Sequence, residues 1–297
     1  MLAEIFPTNV SIEEIEVSAR NLDPKRAAAI FEQYGCVVVR GLMSQYLDAV
    51  RRDIEMAVEQ AYRLLGEAEA ADEGWRTPDG SLFLPARHGA PRDRQIMVLG
   101  LNYHTSAAFF LSALDPLLLN IVEAILGPAV ELFENGHCMY KEPNGGHPKY
   151  LHQDSAYYEH RLGGPVAVLN YAVDTGLTNG ALYVVPGSHC AETLTHVDSF
   201  THLALREDEW PWERALPIIG SAGDSIFYHY RIIHGSQENR SPEPRPVFIH
   251  RYRHPDDYVT FGGATTSKRA ETQKRIAASS KSGQKGLMVR GFRLLQK

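Results

Sequence analysis

The chain has 297 residues, 44% of them hydrophobic and 22% charged, enough to bury a sizeable core as one large or two small domains. Its net charge of −6 argues against a nucleic-acid binder, and no apolar run approaches the length of a membrane span. The opening MLAEIFPTNVSIEEIEVSAR lacks the basic-then-apolar order of a secretory signal, so the cytoplasm is the expected location. Cys36, Cys138 and Cys190 are widely scattered and read as buried thiols, not as a disulfide framework.

The first third of the chain reads as helical apart from one strand. Ser11 with Glu14 makes a capping box, and Asp23-Pro24 opens a helix with Ala27, Ile30, Phe31 and Tyr34 on one face before Gly35 ends it. CVVVRG then reads as a strand. An amphipathic helix follows from Ser44, with Leu47, Val50, Ile54, Val58 and Ala61 on its inner stripe. Residues 71–95 are polar and rich in Gly and Pro, and read as a long loop. Gly74, Gly80 and Gly89 are its candidate hinges, and Trp75, Leu82 and Phe83 alternate with Arg76, Arg87, Arg92 and Arg94. Such a loop suits a lid over an anionic substrate. Asp115-Pro116 then caps LLLNIVEAIL, which Gly127 closes.

From about residue 130 the texture changes to short β-like runs: ENGHCMYKE, PVAVLNYAVD, ALYVVPGSH, GDSIFYHYRIIHG and RPVFIHRYRH. The expected organisation is one α+β domain. A mainly helical flank over 1–130 precedes a double-stranded β-helix, or jelly roll, over 131–256, and a basic tail occupies 257–297. From Lys268 onward the tail carries nine Lys or Arg against one acid, Glu271, and reads as a solvated surface segment.

Three His-x-Asp tripeptides occur: His152/Asp154, His196/Asp198 and His254/Asp256. An iron centre of two histidines and one carboxylate needs a second histidine from a distant strand, with one face left open. His254 is the last histidine and has no downstream partner. His196 precedes His234 by 38 residues, too few for four strands at about ten residues per strand and loop. His152 precedes His234 by 82 residues, which is ample. After the turn at Gly223-Asp224, Ile226, Tyr228, Tyr230, Ile232 and His234 share one face of an expected continuous strand. The link GSQENRSPEPR would make a hairpin that sets Arg245 on the neighbouring strand, where a guanidinium suits a carboxylate.

HQD (152–154), TNGALYVVPGSH (178–189), GDSIFYHYRIIHGS (223–236) and His234-Gly235-Ser236-x-x-Asn239-x-Ser241-x-x-x-Arg245 together resemble the phytanoyl-CoA dioxygenase family of non-haem iron, 2-oxoglutarate-dependent oxygenases. The resemblance implies that His152, Asp154 and His234 bind Fe(II) and that Arg245 and Ser236 bind the distal carboxylate of 2-oxoglutarate. It offers Asn135 and His137 as secondary cosubstrate or substrate contacts. It also implies O2 as co-reactant and hydroxylation of a small molecule as the reaction. Leu169 departs from the family, whose founding member has tryptophan there. Desaturation or cyclisation at the same centre, zinc or manganese on the same ligands, and a non-catalytic binding jelly roll are the alternatives.

Overall fold

The computed structural model describes residues 9–71, 74–87, 90, 92–133, 136–261 and 285–294. Among the described residues there are four α-helices: α1 (Pro24–Tyr34), α2 (Leu47–Leu64), α3 (Ala107–Ser112) and α4 (Pro116–Leu126). Asp23 accepts the Lys25 N–H at 3.0 Å, and Asp115 accepts those of Leu117 and Leu118 at 2.9 and 3.0 Å, as the Asp-Pro signals led one to expect.

Before the core come β1 (Glu16–Ser18), β2 (Cys36–Arg40), β3 (Glu69–Ala71), β4 (Gly74–Arg76), β5 (Leu82–Pro85), β6 (Arg94–Leu99) and β7 (Val130–Leu132). The core itself holds β8 (His137–Lys141), β9 (Lys149–His152), β10 (Glu159–His160), β11 (Val166–Tyr171), β12 (Leu182–Val184), β13 (Val197–Asp198) and β14 (Leu203–Ala204). It continues with β15 (Leu216–Ile218), β16 (Ser225–His229), β17 (His234–Ser236) and β18 (Arg245–Arg253), and β19 (Val259–Phe261) and β20 (Leu287–Arg290) follow.

The large sheet runs β1-β2-β16-β11-β18-β8-β6-β5-β4-β3, with β7 and β20 joined through β18. It is mixed, because β1 and β2 are parallel. A second sheet runs β15-β12-β17-β9. The two sheets share an interior formed by Val38, Leu169, Ile226 and Val247 from the large sheet and Leu182, Val184 and Ile218 from the small one. The opposite face of the large sheet packs on the helices, with Val39, Val168, Phe227 and Phe248 against Phe31, Val50, Ile54 and Leu118. Strands covered on both faces must be apolar at consecutive positions, which is why β2 reads CVVV and not as an alternation. Helices plus two facing sheets make a jelly-roll-type α+β architecture.

Four expectations change. Residues 71–95 are not an irregular loop: β3 to β6 form a meander that extends the large sheet beyond β8, pairing Trp75 with Phe83 and Leu82 with Val98. Gly74 is no hinge, because a Cβ there would stand 2.0 Å from the Phe83 carbonyl oxygen. Three of the four arginines are committed to the protein: Arg87 pairs with Glu238, Arg92 lies 3.8 Å over the Tyr62 ring and Arg94 4.0 Å over Trp75. Gly89 lies outside the described residues.

Second, the stretch expected as one strand up to His234 is two. β16 ends at His229, where the Ile232 N–H bonds back to the His229 carbonyl at 2.9 Å, and β17 restarts in the other sheet. His234 and Arg245 therefore lie on facing sheets and not on neighbouring strands. Third, the tail is not wholly solvated. β20 pairs with β7, and Glu131, fully buried, takes Arg253 Nε at 2.5 Å and is paired as well with Arg293. Residues 262–284 lie outside the described residues. Fourth, Cys36 and Cys138 are buried, and burial pushes both thiols up to about 12, whereas Cys190 is exposed.

Gly35 closes α1 at φ +76°, and a Cβ there would meet the His189 ring at 2.5 Å. Replacing Gly35 with Ala is expected to cost about 1 to 3 kcal/mol. Denaturant midpoints of the two proteins measure the difference, and equal midpoints would contradict this packing.

Candidate metal centre

His152 ends β9 and His234 begins β17, and the two are direct Cα partners across the antiparallel pair. Each imidazole is locked in the same way. His152 Nδ1 donates to the Tyr150 carbonyl at 2.8 Å and His234 Nδ1 to that of Ile232 at 3.0 Å. A carbonyl can only accept, so both protons sit on Nδ1 and both Nε2 lone pairs are free to act as ligands. Asp154 enters the turn that follows β9, with Oδ1 at 3.7 Å from His152 Nε2 and 4.0 Å from His234 Nε2. One donor atom from each residue lies within 4.8 Å of the others, the only such grouping of three among the described residues.

The electrostatics favour the same state. Burial, reinforced by the neighbouring His234 ring, holds His152 well below the ordinary histidine range. Burial also lowers His234, against the opposing pull of Asp154. Two neutral imidazoles and one carboxylate are the donor set that first-row divalent metals take. The other two His-x-Asp matches do not assemble. His196 Nε2 accepts the Gln153 N–H at 3.0 Å, and His254 Nδ1 accepts the Asp256 N–H at 3.1 Å within its own turn.

The three residues open onto a cavity of about 620 Å³ between the sheets. Strand β18 lines it with every second residue, Arg245, Val247, Ile249 and Arg251. Arg245 is buried and donates to the Gly180 carbonyl, while its Nε has no hydrogen-bond partner among the described residues. Burial pulls its guanidinium down to about 10. Its Cα partner is Lys141, equally buried, whose ammonium donates to the His147 carbonyl and is held well below the lysine range by burial and by Arg245. Neither forms an ion pair among the described residues. Burying two basic groups side by side without an ion pair is costly.

Ser236, two residues beyond His234, lines the same cavity, as do His137 and Leu169. Asn135 lies outside the described residues. Arg251 was not singled out from sequence, yet its Nη2 lies 3.6 Å from Asp154 Oδ2 and its Nη1 2.9 Å from His137 Nδ1. The period of two along RPVFIHRYRH carried the signal, since Arg251 is six residues from Arg245 and must share its face. Asn239 is a brace: its amide donates to the Glu142 and Glu243 carbonyls at 3.1 and 2.7 Å, holding the link between β17 and β18 against β8.

Residues 31–247 match the family model described as phytanoyl-CoA dioxygenase. The chain belongs to that family. This places it among the 2-oxoglutarate-dependent non-haem iron dioxygenases, oxidoreductases served by Fe(II) and 2-oxoglutarate. It is 27% identical over 155 residues to a probable alpha-ketoglutarate-dependent hypophosphite dioxygenase of Stutzerimonas stutzeri, over 49% of this chain and 52% of that protein, so it spans about half of that relative. It is 23% identical over 273 residues to the peroxisomal phytanoyl-CoA dioxygenase of Mus musculus, over 87% of this chain and 76% of that one. Among solved structures, the alpha-ketoglutarate-dependent epimerase SnoN of nogalamycin biosynthesis shares the fold at a TM-score of 0.60 with 20% identity, over 92% of this chain and 98% of that one. SnoN has also been solved with Fe3+, alpha ketoglutarate and nogalamycin RO. No helix among the described residues is long and apolar enough to cross a membrane.

Loss of Arg251 releases the second oxygen of Asp154. Arg251→Ala is expected to weaken Fe(II) binding by about 10- to 100-fold, read by anaerobic titration of the metal-free protein. An unchanged affinity would show that Asp154 needs no such support.

Proposed function

We propose that His152, Asp154 and His234 hold Fe(II), that Arg245 and Ser236 receive the distal carboxylate of 2-oxoglutarate, and that the reaction is hydroxylation of an unactivated C–H bond in an anionic small molecule. The observation that carries this reading is the pairing of a three-donor cluster with a buried cation that lacks an anion, in one cavity. The donor set fits Fe(II) because both imidazoles are neutral, with Nδ1 committed to carbonyls, and because one side of the cluster faces open space. The Arg245 site fits a dicarboxylate because a fork of donors with an unused Nε awaits acceptor oxygens. The eight strands β8, β9, β11, β12 and β15 to β18 would form the double-stranded β-helix.

Bound there, Fe(II) and 2-oxoglutarate supply oxidative decarboxylation with O2, which yields succinate and carbon dioxide and oxidises the substrate. The protein's own residues perform three tasks. Arg245, with Lys141 beside it, fixes the far end of the cosubstrate and so determines which way its keto acid points. Val247, Ile249, Leu169 and Met139 keep the wall between cation and metal apolar, which excludes water from the reacting end. Arg76, Lys149 and Arg251 also line the cavity, while Asp154 is the only acid among its described lining residues. That imbalance supports an anionic substrate.

His152→Ala and His234→Ala are expected to abolish Fe(II)-dependent succinate release in a screen of carboxylates, phosphonates and acyl thioesters with product mass spectrometry. Full activity in a metal-replete His152→Ala variant would overturn the assignment. Arg245→Ala is expected to raise the 2-oxoglutarate requirement while sparing Fe(II) affinity, since a buried carboxylate stripped of its cation loses roughly 2 to 5 kcal/mol. That corresponds to about 30-fold or more in half-saturating 2-oxoglutarate. Saturation curves at fixed Fe(II) measure it, and an unchanged curve would place the cosubstrate elsewhere.

A further inference from the structure

The segment between β12 and β15 contains the second His-x-Asp match, His196/Asp198, which supplies no donor to the metal cluster. Its two buried histidines nevertheless both reach the stretch that carries His152 and Asp154, the end of β9 and the turn after it. His196 is fixed between two backbone groups: its Nδ1 donates to the Leu194 carbonyl at 2.8 Å and its Nε2 accepts the Gln153 N–H at 3.0 Å. Gln153 stands between the two cluster residues, so this bond fixes the peptide that joins them. The Leu194 N–H in turn donates to Gln153 Oε1 at 2.8 Å.

His202 approaches from the other end. Its Nε2 donates at 2.9 Å to the Tyr150 carbonyl, the same oxygen that receives His152 Nδ1 at 2.8 Å. Because that oxygen only accepts, His202 carries its proton on Nε2, and Nδ1 accepts from the Thr201 hydroxyl at 2.6 Å. The His202 ring lies edge-on to the His152 ring with centroids 4.8 Å apart, and His202 is 1% exposed. Further bonds fasten the same two stretches: Leu205 N–H to the Leu151 carbonyl at 2.8 Å and Thr193 Oγ1 to Ser155 Oγ at 2.7 Å. Residues 193–205 thus form a strap along residues 150–155, attached at both sides of the metal-binding tripeptide.

We propose that His196 and His202 are positioning residues for the metal centre. His202 holds the Tyr150 carbonyl that orients the His152 imidazole, and His196 holds the Gln153 peptide that sets the reach from His152 to Asp154. This rests on the reading of His152 and Asp154 as iron ligands. With one of its two donors removed the Tyr150 carbonyl is held less firmly, and the bond that fixes the tautomer and ring plane of His152 is weakened. Neither histidine touches the metal, so the effect passes through the backbone.

The test is anaerobic Fe(II) titration of metal-free protein, with the unfolding temperature of the same metal-free samples. His202→Leu and His196→Leu are expected to raise the Fe(II) dissociation constant by about 10- to 100-fold. His202→Gln keeps an N–H for the Tyr150 carbonyl and His196→Gln keeps an acceptor for the Gln153 N–H. Both are expected to bind Fe(II) within about threefold of the parent protein. His202→Asn, polar but too short to reach, is expected to behave as His202→Leu. If the Leu variants do not fold, the Gln and Asn variants of His202 decide alone: equal affinities would overturn the proposal, as would parental affinity in a folded His202→Leu. A loss of affinity that follows the unfolding temperature and is not restored by Gln would also overturn it. The parent and His152→Ala serve as controls. Absence of Fe(II) binding by the parent would defeat the underlying assignment, whereas loss in His152→Ala with unaltered strap variants would defeat the strap alone.

Discussion

Everything at the centre of this protein depends on one backbone pairing, that of β9 with β17. An antiparallel pair brings directly opposed residues close together, and here the opposed residues are His152 and His234. Each then spends its Nδ1 proton on the carbonyl two residues earlier in its own chain, so the strand that delivers the imidazole also sets its tautomer. Burial favours the neutral form of both rings. The result is a pair of lone pairs aimed at one point before any metal arrives, with Asp154 added by the turn at the end of β9.

The large sheet supplies the opposing half of the cavity. Its strand β18 carries arginines at two inward positions six residues apart, one toward the buried Lys141 and one toward Asp154. A buried cation without a counter-ion is costly, and a protein retains one where a ligand completes it. On the proposed reading, Arg245 and Lys141 would form the anion end of the cavity and the histidines the metal end. The apolar residues between them are the inner face of a sheet whose outer face is covered by α1, α2 and α4. The helices thus act on the chemistry indirectly, by burying the sheet that holds Arg245 in place.

The sequence made some of this legible and concealed the rest for physical reasons. The caps at Asp23 and Asp115 are local, because their hydrogen bonds close within three residues, and they stand where expected. The clustering of His152, Asp154 and His234 was legible because His254 has no later histidine to join it and His196 lies too close to His234 in the chain. The switch between sheets at Tyr230 was not: Ile226, Tyr228, Ile232 and His234 all still face the interior, so their alternation continues across the break. The meander of β3 to β6 was hidden by its composition, since edge strands tolerate polar residues and glycine, and Gly74 is there for close backbone approach. Arg251 and His202 act on groups far away in sequence, and no local pattern names the partner of a long-range contact.

The central claim is that one cavity binds Fe(II) at the histidine end and 2-oxoglutarate at the arginine end, close enough to join. Anaerobic titration of the protein with Fe(II), followed by 2-oxoglutarate, tests it most directly. A weak visible charge-transfer band is expected to grow to one iron per chain only when both are present, to vanish in His234→Ala, and to need more 2-oxoglutarate in Arg245→Ala. Tight binding of both components without that band, or a band indifferent to Arg245, would contradict the account.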